Sequence, residues 1–160
     1  MISKKKKVNW KVLIVSLVIV YAVAFIGSLF TSSAVKTAWY ESIKPSITPP
    51  SWVFPIAWNV LFFLIALSLY FSWINAKNSE IKKKVALVFA INFILNILWS
   101  ILYFGMKNPF ASFIEIIFLL FSIGAMIYVT YKISKKAAYL LVPYLLWVSF
   151  ASILNYLSIV

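Results

Sequence analysis

Hydrophobic positions in this chain run in long unbroken blocks, and the polar positions that separate the blocks are mostly lysines. Five blocks, residues 12–35, 51–76, 85–106, 108–131 and 137–158, reach the roughly 20 residues that a membrane-crossing helix needs. Only the fourth holds a charge, Glu115. Membrane-spanning β-strands would instead alternate over about 10 residues between turn signals, and no such alternation is present. The pattern predicts an all-α integral membrane bundle of five transmembrane helices, forming one domain over residues 1–160. Lys4 to Lys7 ahead of the first block resemble the start of a signal peptide, but the block is about twice the length of a signal h-region, which predicts a retained helix.

Composition removes most other function classes. The chain is 64% apolar and 11% charged, with a mean hydropathy of +1.01, so a water-soluble globule of this size could not hide its apolar side chains. It has no Cys and no His, hence no thiol nucleophile, imidazole base, disulfide or histidine haem ligand. The acids are Glu41, Glu80 and Glu115 alone, so no catalytic residues and no metal site are predicted. Aromatic residues make up 19%, including seven Trp, and carry the remaining chemistry.

The net charge of +12 is explained by topology. With five spans, Lys4, Lys5, Lys6, Lys7, Lys11, Lys77, Lys82, Lys83, Lys84, Lys132, Lys135 and Lys136 share one side, and Lys36, Lys44 and Lys107 the other. Lysine enrichment marks the cytoplasmic face, which predicts a cytoplasmic N-terminus and an external C-terminus. The charge then meets anionic lipid headgroups of the bilayer and requires no nucleic-acid partner.

The loop from Trp39 to Pro55 is unlike the other connections. Pro45, Pro49, Pro50 and Pro55 fix φ and disfavour helix, predicting an ordered extended or turning lid, and Trp39, Tyr40, Trp52 and Phe54 make it aromatic. Within the spans, Asn92, Asn96, Trp99 and Tyr103 follow helical spacing and share one face; Trp58 and Phe62 lie one turn apart, with Asn59 beside them; Trp147, Phe150, Ala151 and Asn155 are similarly grouped. Pro143 should kink the fifth span. Glu115, in its neutral form, is expected to donate a hydrogen bond to a neighbouring helix or to serve function directly. Ala86 with Ala90, and Ala24 with Ser28, would permit close helix contact.

The run WYESIKPSITPPSWVFPIAW from Trp39 to Trp58 resembles the signature of the translocator protein family, the tryptophan-rich sensory proteins or peripheral benzodiazepine receptors (TspO/MBR). NFILNILWSILYFG from Asn92 to Gly105 and LLVPYLLWVSFASILN from Leu140 to Asn155 are similar to its third- and fifth-helix motifs, so the resemblance covers residues 12–158. It implies a five-helix bundle, commonly a homodimer, with a pocket under the first loop for porphyrins, isoquinoline or benzodiazepine ligands and, in some members, sterols. It further implies ligand contacts from Tyr40 and Pro49 in the loop, Trp58 and Phe62 in the second helix, Asn96 and Trp99 in the third, and Trp147 and Ala151 in the fifth. Trp58 and Trp147 correspond to the pair linked to porphyrin chemistry in bacterial members, and Glu115 falls where many relatives carry an acid. Tyr156 is followed by Leu157 and not by a basic residue, a departure from the sterol pattern of animal members.

The function expected is that of a membrane receptor or sensor for porphyrins and related aromatic ligands. No cofactor is predicted, porphyrin or haem being a ligand without His ligation. A porphyrin-degrading enzyme and a porphyrin transporter are the alternatives, although no inverted repeat or chain of intramembrane acids supports transport.

Overall fold

The protein, described here over residues 8–160 by a computed structural model, is built of helices and connecting turns, with no strand among the described residues. Lys4 to Lys7 lie outside the described residues. In order come α1 (Trp10–Ala34), α2 (Ala38–Ile43), α3 (Val53–Asn75), α4 (Ser79–Ser100), a π-helical turn (Ile101–Gly105), α5 (Pro109–Tyr131), α6 (Lys135–Tyr139) and α7 (Val142–Leu157). Counting α4 with its π-helical turn, and α6 with α7, five helical segments are long and apolar enough to cross a membrane.

Local chemistry sets most of the starts. Asn9, Thr37, Asn78, Asn108 and Ser134 each accept a hydrogen bond from the backbone N–H three residues on, satisfying one orphan donor of the helix that follows. The cap at Asn78 explains why the third span begins at Ser79 and not at residue 85. Lys82, Lys83 and Lys84 are good helix formers, and Lys83 and Lys84 lie exposed. Pro55 also departs from the sequence expectation. It sits third in α3, where a proline is tolerated because the missing N–H would have had no intrahelical partner. The aromatic start of the lid is a short helix, α2, and only the stretch from Lys44 to Trp52 is non-helical.

The fifth span is broken, as Pro143 requires. Without a proline N–H, the carbonyl of Tyr139 loses its partner four residues on, and Leu141 N–H turns back to the Ala138 carbonyl at 3.0 Å. The detached α6 is held to α3 by Ser68, whose hydroxyl donates to the Ala137 carbonyl at 2.8 Å.

Lipid is as apolar as leucine, so these helices are held together by close fit and interhelical hydrogen bonds more than by exclusion of water. Val20, Ile65, Phe89, Ile123, Tyr144 and Val148 fill the bundle interior, and Phe25, Ile94, Phe121 and Leu146 face outward. Gly27 is buried where α1 meets Ser100 at the end of α4, and an added Cβ would make only an ordinary contact with Ser100 Oγ at 3.5 Å. Ala86 and Ala90 do not serve that contact and lie exposed, as does Ser28. At the π-helical turn, Met106 N–H donates to the Ile101 carbonyl at 2.7 Å, and Lys107, with φ of 52°, reverses the chain into α5. The widened turn aims both Tyr103 and Phe104 inward, and Gly105 leaves room for Phe30 of α1, whose ring edge would stand only 3.1 Å from an added Cβ.

Candidate functional site

Rings of the lid dock on the rings of the π-helical turn. Tyr40 lies 5.9 Å from Phe104 and Trp39 lies edge-on at 6.0 Å to Tyr103, centroid to centroid. Trp99, one turn earlier, stacks on Tyr103 at 5.0 Å and meets Phe104 at 5.7 Å. Lys107 Nζ caps the outer side of Trp39 at 5.9 Å from its ring. Trp99 also packs against the main core of the bundle, so it joins the lid cluster to the membrane interior. Such pairs add about 0.5–1.5 kcal/mol each beyond the area they bury.

Burial raises the Tyr40 phenol above its ordinary range, and the neighbouring Glu41 carboxylate adds to the shift. A phenol that holds its proton more tightly when docked stabilises the lid fully below the ordinary range near 10, and that contribution is lost as pH climbs through the raised value. Fluorescence of a dye on Ser46→Cys, unique in a chain without cysteine, should report an alkaline opening of the lid, and Tyr40→Phe should move that opening to higher pH.

Behind the lid the amides of α4 do not line empty space; they are spent on a hydrogen-bond chain between helices. Tyr144 of α7 donates to Asn92 Oδ1 at 3.3 Å and accepts from Asn96 Nδ2 at 3.2 Å, while Asn92 Nδ2 donates to Ser122 Oγ of α5 at 2.8 Å. One turn on, Trp99 Nε1 donates to Asn155 Oδ1 at 3.0 Å, and Asn155 Nδ2 donates to the Pro109 carbonyl at 2.8 Å. Tyr103 and Ser158 hydroxyls share a bond of 2.8 Å beyond that. The face spelled by Asn92, Asn96, Trp99 and Tyr103 is therefore the seam along which α4 meets α5 and α7. Asn59 is not part of it; it is exposed and bonds back to the Pro55 carbonyl at 2.8 Å.

Trp58 and Phe62 stack at 5.3 Å, and Trp58 also meets the wholly buried Tyr144 edge-on at 6.3 Å. Trp147 points elsewhere. It contacts Phe54 at 5.9 Å and Phe150 at 6.0 Å, and lines an almost wholly apolar recess of about 540 Å³ between α3 and α7, with Ala57, Leu61 and Pro143. The recess is open on its outer side, where Val60 and Leu146 are exposed. Ala151 packs against the main core, and Pro49 is half-buried in the lid stretch. Sequence reasoning did not single out Tyr144, though it lies three residues before Trp147 and eleven before Asn155, on the buried face of α7.

Glu115 departs from expectation. It is only 6% exposed, on the face of α5 that carries Ser112 and Ser122, and neither carboxyl oxygen has a hydrogen-bond partner among the described residues. The interhelical bond expected of it is absent among the described residues. Leaving such a group buried costs about 1–3 kcal/mol. Glu115→Leu, close in volume, should thus raise stability in detergent by about that amount, with Glu115→Gln giving no gain; a loss with Leu would mean that the carboxyl has a partner.

Residues 15–159 match the model of the TspO/MBR family. Over 145 residues the chain is 43% identical to the tryptophan-rich protein TspO of Archaeoglobus fulgidus, covering 90% of this chain and 92% of that protein. It is 30% identical to the human translocator protein over 134 residues (82% and 79%), and 30% identical to the tryptophan-rich sensory protein of Cereibacter sphaeroides over 119 residues (74% and 73%). With five membrane-crossing segments in the matched region, this integral membrane protein belongs to the TspO/MBR family.

Proposed function

We propose that the protein is a membrane receptor or sensor that takes a porphyrin, or a related flat hydrophobic aromatic molecule, onto its aromatic surfaces beneath the lid. One observation carries this reading: an unbroken run of ring contacts from Tyr40 through Phe104 and Trp99 to Tyr103 joins the lid to the bundle core. A planar π system can exchange those contacts for contacts with itself, so that ligand occupancy changes how the lid docks. Stacking suits such a ligand, and burial adds about 25 cal/mol per Å². The word sensory in the name of the Cereibacter relative agrees with the reading. Since no histidine is available for iron, metal-free porphyrin should bind about as well as haem. Titrating protein in detergent with protoporphyrin and following tryptophan fluorescence tests it. Saturable quenching with the porphyrin recovered intact supports a receptor; time-dependent loss of porphyrin would make the protein an enzyme, and movement across sealed vesicles a transporter.

The same reading places the N-terminus in the cytoplasm and the C-terminus outside. Lys11, Lys77, Lys82 to Lys84, Lys132, Lys135 and Lys136 gather at one end of the bundle, opposite the lid, which carries Lys36, Lys44 and Lys107 at or near its own end. A cytoplasm-active reporter fused to Met1 should give signal and one fused to Val160 none. A homodimer fits the exposed face of α4, where Ala86 and Ala90 lie among Leu87, Ile91 and Ile94 and would allow a second copy to approach closely. Cross-linking of Ala90→Cys, against Phe25→Cys as control, tests that arrangement.

A further inference from the structure

At the end of the bundle opposite the lid, α1, α3 and α4 leave a cavity of about 460 Å³ between them. Its polar side chains, Asn9, Tyr70, Trp73 and Lys82, each carry a hydrogen-bond donor. Tyr70 is only 6% exposed; its hydroxyl accepts from Asn9 N–H at 3.2 Å, and its own proton finds no acceptor among the described residues. Lys82 Nζ lies 5.6 Å from the centre of the Trp73 ring and has no carboxylate partner among the described residues. The Trp73 indole N–H and the Asn9 amide nitrogen add two further donors without a partner, the Asn9 oxygen being occupied by Val12 N–H. No acid lines the cavity; Glu80 is engaged by Lys83 at 3.0 Å on the exposed side of α4. Val12 and Ile74 supply apolar walls continuous with the membrane-crossing parts of α1 and α3.

We propose that this cavity binds the phosphate headgroup of an anionic phospholipid in the leaflet that faces the N-terminus. Phosphate oxygens are acceptors only, matching the donors that Asn9, Tyr70 and Trp73 carry and the positive charge of Lys82. A free anion would use the donors but not the apolar walls, whereas a phospholipid uses both, its glycerol and upper acyl chain following Val12 and Ile74 toward the bilayer interior. The buried Tyr70 separates this arrangement from the diffuse attraction of surface lysines, which has no geometry. The site lies at the other end of the molecule from the aromatic surfaces, so it is independent of the porphyrin reading.

Native mass spectrometry of the intact protein in detergent, titrated with phosphatidylglycerol or phosphatidylcholine of the same acyl chains, provides the test. One phosphatidylglycerol should be retained in preference to phosphatidylcholine. Lys82→Gln should weaken it about fivefold, as expected for one lysine at a phosphate. Tyr70→Phe, which keeps the ring, should weaken it severalfold, and Lys83→Gln should leave it unchanged. Equal losses from Lys82→Gln and Lys83→Gln would overturn the proposal in favour of diffuse surface charge. Displacement of the lipid by millimolar inorganic phosphate would overturn the lipid assignment. Retention of the lipid at wild-type strength in Tyr70→Phe, with an unchanged melting temperature, would also overturn it.

Discussion

Tyr144→Ala should lower the unfolding free energy in detergent by about 3–5 kcal/mol, the range for deleting a large buried aromatic side chain. The ring is wholly buried where α3, α4 and α7 converge, against Trp58, and its hydroxyl joins two asparagines of α4. Removing the ring leaves a void that neither water nor lipid is placed to fill. It also strands Asn92 Oδ1 and Asn96 Nδ2 in an apolar interior. Tyr144→Phe separates the two contributions: it keeps the packing and loses the hydroxyl, and should cost about 1–2 kcal/mol. Unfolding of the three proteins in mixed detergent measures both. If Phe proves as damaging as Ala, the polar seam and not the ring holds α7 in place; if Phe costs nothing, the asparagines find other partners.

Trp58→Ala and Trp147→Ala should each weaken porphyrin binding by about 1–4 kcal/mol, the loss expected when an aromatic anchor against the ligand is removed. Trp58 is tied to the core through Phe62 and Tyr144, whereas Trp147 faces an open apolar recess, so the two variants should differ in kind. Trp58→Ala should also lower the melting temperature, and Trp147→Ala should affect affinity with little change in stability. Trp10→Ala is the control, since Trp10 is 66% exposed at the end of the bundle away from the lid. Equal effects of all three on binding would mean partition into detergent and would remove the porphyrin reading.

Much of the architecture is legible along the chain because each signal is local. Charged lysines cannot cross a bilayer unpaired, so their positions delimit the apolar blocks. Asn9, Asn78 and Asn108 start helices because a short polar side chain can satisfy a backbone N–H within its own turn. Pro143 breaks the fifth span because the missing proton belongs to that residue, whatever surrounds it. The spacing of Asn92, Asn96, Trp99 and Tyr103 likewise places them on one face, since helical periodicity depends on nothing outside the helix.

What that face does could not be read the same way. A polar stripe can line a cavity or zip two helices together, and the choice depends on which side chains the neighbouring helices bring to it. Here Tyr144, Ser122 and Asn155 arrive, and the amides become a seam. Glu115, by contrast, meets no hydrogen-bond partner among the described residues, an outcome that its place in the sequence does not reveal. That Trp147 meets Phe54 and a recess beside α3 depends on how α7 sits against α3 after the break at Leu140 and Leu141, which no spacing within α7 encodes. Tyr103 and Phe104 both turn inward at a stretch where the hydrogen bond spans five residues in place of four, and Phe30 and the lid rings pack against that irregularity. Periodicity, caps and charge are properties of a segment; partnership, rotation and strain are properties of contacts between segments, and these arise only when the helices assemble.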